Sequence, residues 1–364
     1  MLSLSSYDLA CLLKELQFLV DSKVDNIYVL PDNSILFRMH IKEIGKKILR
    51  INTPNIMYLT DYKPESEGAK GFCMTLRKYL NNTRLRKLNQ IGFDRVAEME
   101  FSAKENNYYV YIELFGKGNV LLCNENKKII SILNPLKTKD RTLLGGQIYE
   151  FPKSKYNFLK LTKEDLKEAI KETKQDSMVK VLAVDLQLGG KYAEEICLRA
   201  GIDKARLKIS EKDIDKVFDT IKELQCLPIS PHLYGNTSSP IEMMQFKNGE
   251  KYERYYELLD KLSTKVVFEE QKNRALSGYN EKIKKIENII KKQELQLKKA
   301  IIEAEENQKK GDMLYENYTE IKKLFDNLRE ARKTYSWKEI KEHLKKNKKI
   351  IKIDEANNEI IIEL

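Results

Sequence analysis

An α+β fold is predicted for this chain, on three observations. Strand-like apolar runs separated by turn signals fill the sequence up to Phe151. Helical spacing of apolar residues takes over from Leu161 to about Leu227. From about Tyr255 a long, highly charged helical pattern carries a seven-residue repeat. The matching division is 1–172 for a β-rich domain, 173–262 for a helical domain with its connecting segment, 263–335 for a coiled-coil arm and 336–364 for the start of a small tip domain.

Ser5–Ser6–Tyr7–Asp8 supplies a helix N-cap, and Leu9, Leu12, Leu13, Leu16 and Val20 follow at helical spacing. Asp32–Asn33 is a turn signal between two strand-like runs, Val24–Leu30 and Ser34–Ile41, and Lys46–Asn52 and Asn55–Thr60 continue the meander. Phe72–Leu80 reads as a helix with Phe72, Leu76 and Leu80 inward and Arg77 and Lys78 outward. Strands resume at Val96–Ala103, Tyr108–Phe115, Asn119–Asn124 and Lys128–Leu133. Leu188–Gly189–Gly190 interrupts the helical region between Met178–Leu188 and Tyr192–Arg199, and Pro228, Pro231, Gly235 and Pro240 mark a connecting segment. Ile283, Ile290, Leu297 and Ala304, with Ile286 and Ala300 between them, make a heptad seam. A second seam runs through Leu314, Tyr318, Ile321, Phe325 and Leu328, with either a bend or a turn expected at Gly311–Asp312. Ile350–Asp354 and Glu359–Glu363 look like a hairpin around Asn357–Asn358. So polar a helix needs a partner strand of coil, and self-association would supply one; the chain reads as stopping before a return arm.

Charged residues make up 33% of the chain and the formal net charge is +11, which points to a polyanionic partner, nucleic acid before a membrane surface. The five cysteines are far apart, with no ligand spacing, so neither a disulfide framework nor a zinc site is indicated, and reduced thiols point to the cytoplasm. No apolar run approaches the length of a membrane span, and the charged first residues argue against a signal peptide. His40, His232 and His343 are isolated, and no nucleophile elbow, paired-carboxylate motif or dinucleotide fingerprint occurs. Neither a cofactor nor an enzymatic activity is therefore expected.

The basic stretch after Gly68 carries Lys70, Arg77, Lys78, Arg84, Arg86, Lys87 and Arg95 against a single acid, Asp94. On a rigid sheet it would form a cationic ridge suited to a phosphate backbone. Asp94–Arg95 is either a local ion pair at a strand start, or a guanidinium that forks onto a phosphate or base edge beside a carboxylate that accepts from a hydroxyl or amino group. Gly116–Lys117–Gly118–Asn119 is either a hairpin turn or a loop whose backbone approaches a phosphate; without a following Lys-Ser or Lys-Thr it is no nucleotide-hydrolysis loop. Gly189–Gly190 is either plain helix packing or a turn presenting backbone donors to a phosphate.

Together these motifs resemble one family. Leu2–Asp8, FCMTLRKYL at Phe72–Leu80, QIGFDR at Gln90–Arg95, IELFGKGNVLL at Ile112–Leu122 and DRTLLGGQIYEFP at Asp140–Pro152 are similar to the N-terminal domain of the NFACT proteins. These are ribosome-associated quality-control factors, also described as fibronectin-binding proteins. LGGKYAEEICLRAGID at Leu188–Asp203 resembles their helix–hairpin–helix domain in its archaeal form, and LYENYTEIKKLF at Leu314–Phe325 and YSWKEI at Tyr335–Ile340 resemble their coil and middle segments. The similarity stops before the family's C-terminal RNA-binding domain. It implies binding to large ribosomal subunits obstructed by peptidyl-tRNA, through rRNA and tRNA. It also implies recruitment of an aminoacyl-tRNA, typically alanyl-tRNA, for tailing of the nascent chain without mRNA. Asp94–Arg95 matches the family's signature for tRNA engagement. The site residues expected on this basis are Arg77, Lys78, Arg84, Asp94, Arg95, Lys117, Asn119, Arg141, Gly189 and Gly190. The N-terminal domain also resembles that of formamidopyrimidine-DNA glycosylases. Their nucleophile is an N-terminal proline, whereas this chain begins Met1–Leu2–Ser3. A glycosylase-like enzyme and a fibronectin-binding adhesin are the alternatives.

Overall fold

The computed structural model of the chain describes residues 2–30, 32–62, 71–103, 106–138, 141–152, 154–207, 210–344, 350–354 and 359–362, without the side chains of 266–278, 338, 343, 353–354 and 360. The chain divides into two units, Met1–Glu270 and Gln271–Leu364.

In the first unit a nine-stranded antiparallel sheet runs in the order β4-β3-β2-β1-β5-β6-β7-β8-β9. Its strands are β1 (Lys23–Val29), β2 (Ile35–Ile41), β3 (Gly45–Asn52), β4 (Ile56–Thr60), β5 (Arg84–Gln90), β6 (Val96–Ser102), β7 (Asn107–Glu113), β8 (Asn119–Asn124) and β9 (Ile129–Ile132). Two meanders thus meet at the β1–β5 seam, where Lys23 pairs with Arg84. Strand β5 departs from the sequence expectation, which read this stretch only as a basic ridge. Leu85 and Leu88 are buried while Arg84, Arg86 and Lys87 face water, and a bulge between Leu85 and Lys87 breaks the two-residue alternation that would have shown it.

Helix α1 (Ser6–Glu15) begins with a reciprocal capping box, in which the Asp8 N–H donates to Ser5 Oγ at 3.1 Å and the Ser5 N–H donates to Asp8 Oδ2 at 2.9 Å. Its two faces serve two cores. Leu9, Leu12, Leu13 and Leu16 pack on the sheet, and Tyr7 and Cys11 pack into a helical cluster. Helix α2 (Phe72–Leu80) buries Leu76 and Leu80 as expected, while Cys73 is also buried and Phe72 is only half-buried. After β9 a short ribbon, β10 (Leu136–Lys137) with β11 (Thr142–Leu143), precedes a small core in which Tyr111 stacks on Tyr149 at 4.5 Å.

The helical cluster comprises α3 (Lys163–Glu172), α4 (Met178–Lys180), α5 (Gly190–Ala200) and α6 (Glu211–Cys226). The expected helix over Met178–Leu188 is instead α4 followed by one π-helical turn, Val181–Asp185. Gln187 at φ 58° and Gly189 at φ 77° then reverse the chain. The connecting segment is also more ordered than its prolines suggest. It forms a three-stranded sheet of β12 (His232–Tyr234), β13 (Thr237–Ser239) and β14 (Glu250–Lys251). Helix α7 (Tyr255–Glu316) starts by burying Tyr255, Leu258 and Leu259 in the sheet core.

In the second unit α7 runs through Gly311, so no turn interrupts the helix there. The break falls at Asn317, before α8 (Tyr318–Ala331). Glycine weakens a helix by about 1 kcal/mol without obliging it to end. The seam residues Ile283, Ile286, Ile290 and Leu297 are exposed, with no partner among the described residues. Helix α9 (Trp337–Leu344) closes an apolar groove against α8, and β15 (Ile350–Asp354) pairs with β16 (Glu359–Ile362) in the expected hairpin, whose Asn357–Asn358 turn lies outside the described residues.

Candidate nucleic-acid interface

The turn between β5 and β6 is tight. The Ile91 N–H donates to Val96 O at 3.0 Å, the Asp94 N–H to Ile91 O at 3.2 Å, and Gly92 takes φ 59°. Phe93 is fully buried, but in the helical cluster rather than the sheet, with its ring 5.0 Å from that of Phe158. Burial of so large a ring pins the turn to the helices. Asp94 and Arg95 consequently stand where sheet, α1 and the loop before α5 meet. They line a cleft of about 420 Å³ with Ser5, Ser6, Phe115, Ala183, Val184, Gln187 and Gly189. A second hollow of about 240 Å³ shares Ser5 and Gly189 and reaches Lys191 and Thr237. Asp94–Arg95 and Gly189–Gly190, separate motifs in the sequence, are therefore neighbours.

Arg95 differs from most arginines around it. Among the described residues of this unit, only Arg95 and Arg254 of the arginines have neither an ion pair, a hydrogen bond from the side chain nor a ring contact. Asp94 does not pair with its neighbour's guanidinium: its Oδ1 accepts the Arg95 backbone N–H at 2.7 Å, and its other oxygen is free of protein partners among the described residues. The cleft thus offers a free fork of donors, an open acceptor and the apolar surfaces of Phe115 and Val184. Such a set can hold a polar planar ligand or a phosphate.

The basic side chains expected to form a ridge differ in how free they are: Arg84, Arg86 and Lys87 line an exposed edge of β5 but have bonds within the fold. The Arg77 Nε donates to Ile27 O at 2.6 Å and its guanidinium lies 5.2 Å from the Tyr28 ring centre, so it folds inward instead of facing water. Arg84 donates to Asp21 O at 2.9 Å, Arg86 pairs with Asp21 at 2.5 Å and Lys87 with Glu100 at 2.8 Å. Arg141 pairs at 2.6 Å with Glu113, whose side chain is 5% exposed, and also donates to Glu150 O at 2.8 Å; burial opposes its charge, and Glu113 with Tyr149 outweighs that effect. Asn119 is buried and spends its amide on Asn134, donating to its carbonyl at 2.7 Å and accepting its N–H at 3.0 Å. Arg141 and Asn119 thus make bonds that hold the fold. Lys78 is exposed 5.5 Å from the Tyr79 ring centre, Lys117 is exposed two residues beyond Phe115, and Lys70 lies outside the described residues.

The glycines separate in the same way. A Cβ on Gly118 would meet Thr53 Cβ at 2.6 Å and Pro54 Cα at 2.7 Å, so this glycine allows two loops to touch. The Gly189 N–H is used by Ala183 O at 3.1 Å, while the α5 N-terminus has no side-chain cap.

Beneath the second hollow lies a buried cluster that sequence reasoning missed. Asp8 Oδ1 accepts from Lys191 Nζ at 2.9 Å, Tyr192 OH at 2.5 Å and Tyr255 OH at 3.1 Å, and Oδ2 accepts from Ser5 Oγ at 2.7 Å. Burial opposes ionisation, but Lys191, Tyr192 and Ser5 together hold the Asp8 carboxyl below the ordinary range. The cluster ties α1, α5 and α7 together. Only its Ser5–Asp8 cap is local in sequence. Among the described residues no group of His, Cys, Asp and Glu could hold a metal, and no helix is long and apolar enough to cross a membrane.

A family model described as NFACT N-terminal and middle domains matches residues 5–360. The chain belongs to the NFACT family. It is 32% identical to an archaeal Rqc2 homolog, aRqcH, of Methanocaldococcus jannaschii, over 99% of this chain and 58% of that protein. It is 24% identical to the ribosome quality control complex subunit NEMF of Homo sapiens, over 90% of this chain and 34% of that one. The chain thus spans little more than half of the archaeal relative's length. Among solved structures, the N-terminal part of the fibronectin/fibrinogen-binding protein from Streptococcus suis superposes with a TM-score of 0.61 at 20% identity, covering 72% of this chain and all of that one. That likeness bears on the fold alone. NFACT membership and the large antiparallel sheet with helices agree with what the sequence motifs implied.

Proposed function

We propose that this NFACT chain is the RNA-engaging part of a ribosome quality-control factor. In this role the Asp94–Arg95 cleft engages tRNA on an obstructed large ribosomal subunit, and an aminoacyl-tRNA, alanyl-tRNA by family resemblance, is recruited for mRNA-independent tailing of the stalled chain. The observation that carries the proposal is the free Arg95 guanidinium beside an open Asp94 carboxylate oxygen, in a cleft that Gly189 also lines. Most other arginines of this unit are committed to bonds within the fold. The relatives named for ribosome quality control give the process, and the net charge of +11 suits an RNA-rich partner. Bond formation belongs to the ribosome in this scheme, and the protein contributes positioning. The helix–hairpin–helix character of the segment around Gly189, the arm as a spacer and a cytoplasmic location belong to the same proposal.

Crosslinking and sequencing of RNA bound in cells tests it. Wild type should recover tRNA and large-subunit rRNA, and Asp94→Ala/Arg95→Ala should lose the tRNA. Equal tRNA recovery by the double variant would remove the cleft from the interface.

A further inference from the structure

Taking the Asp94–Arg95 cleft as an RNA site, we propose that Gln90 is a positioning residue for it: its amide clamps the Asp94 backbone to the first turn of α1 and so aims Arg95. Gln90 is the last residue of β5, and its Nε2 donates to Ser6 O at 2.9 Å and to Asp94 O at 2.8 Å. Both partners are carbonyl oxygens, which only accept, so the NH₂ group must face them. Ser6 and Asp94 both line the cleft, one from α1 and the other from the β5–β6 turn. The clamp therefore joins two walls of the site through one side chain.

The turn does not need this clamp in order to form. Its ladder bond from Ile91 to Val96 and the buried Phe93 ring already close it. Gln90 adds a fixed Asp94 carbonyl, immediately before the peptide N–H that Asp94 Oδ1 holds. With both sides of that peptide tied, the Arg95 side chain is left as the mobile part of the pair. The orientation has a cost in stability, because Gln90 Oε1 is buried without a partner. An aliphatic side chain would avoid that cost but could not donate to the Ser6 and Asp94 carbonyls.

The test uses the full chain and purified tRNA, with affinity measured for wild type, Gln90→Met, Arg95→Ala and the double variant, and amide hydrogen exchange measured without RNA. Gln90→Met should weaken tRNA binding roughly tenfold, because a displaced binding group loses its alignment. The double variant should be no weaker than Arg95→Ala alone, since Gln90 acts through Arg95. Exchange should rise at residues 91–96 with the rest of the unit unchanged. Gln90→Glu keeps the shape, sets a carboxylate against two carbonyl oxygens and should bind no better than Gln90→Met, which guards against a fold-specific failure of one variant. Wild-type affinity for Gln90→Met beside weak Arg95→Ala, additive losses, or unchanged exchange at residues 91–96 would each overturn the positioning role. Wild-type affinity for Arg95→Ala would instead overturn the RNA site itself, and the exchange result would still decide the clamp.

Discussion

The two arginines Arg95 and Arg141 carry the same charge to opposite ends. Arg95 lines the cleft unpaired, so Arg95→Ala should leave the melting temperature within a few degrees and cost about 1–3 kcal/mol of RNA affinity. Arg141→Ala strands the Glu113 carboxylate in a buried site and should cost about 3–5 kcal/mol of stability, read in urea unfolding. Asp8 predicts a pH dependence. Its carboxyl is depressed in the fold, so its stabilising contribution is present above the unfolded-state value near ~3.9 and is lost as pH falls through the lower folded value. Burial raises the Glu15 carboxyl despite the Tyr255 and Tyr256 N–H donors, which works in the opposite sense. The comparison that isolates Asp8 is therefore wild type against Asp8→Asn, whose stability curves should converge below about pH 4.

At the scale of elements, legibility in the sequence followed locality. Helix α1 and its cap were readable because Ser5, Asp8 and the leucines lie within one helix, and α2 because its inward residues repeat at helical spacing. Strand β5 was hidden by a bulge and by an outward charged edge, and that edge then looked like a phosphate-binding ridge. What sequence cannot display is which cation finds a carboxylate: Arg86 meets Asp21 and Arg141 meets Glu113 only after the sheet forms. The Asp94–Arg95 pair was visible as a motif, but Phe115, Val184 and Gln187 were not, because they reach the cleft from separate loops. The hairpin loop offers a check. Gly118→Ala should destabilise the unit severely, since its Cβ would overlap Pro54 Cα, whereas Gly116→Ala, with open space and only φ 58° to oppose it, should cost about 1–2 kcal/mol in thermal melts.

Over the whole molecule, net charge and usable charge are different quantities. The chain carries +11, yet in the first unit most arginines are bonded within the fold. RNA binding should weaken as salt rises, and each lost phosphate contact should lower the salt slope by about 1. The most direct measurement is tRNA affinity at one fixed salt concentration for Arg95→Ala beside a combined Arg77→Ala/Arg84→Ala/Arg86→Ala variant. A cleft-centred interface predicts a loss of about tenfold or more for the single change and less than threefold for the triple. The reverse order, with the triple variant crippled and Arg95→Ala intact, would contradict it.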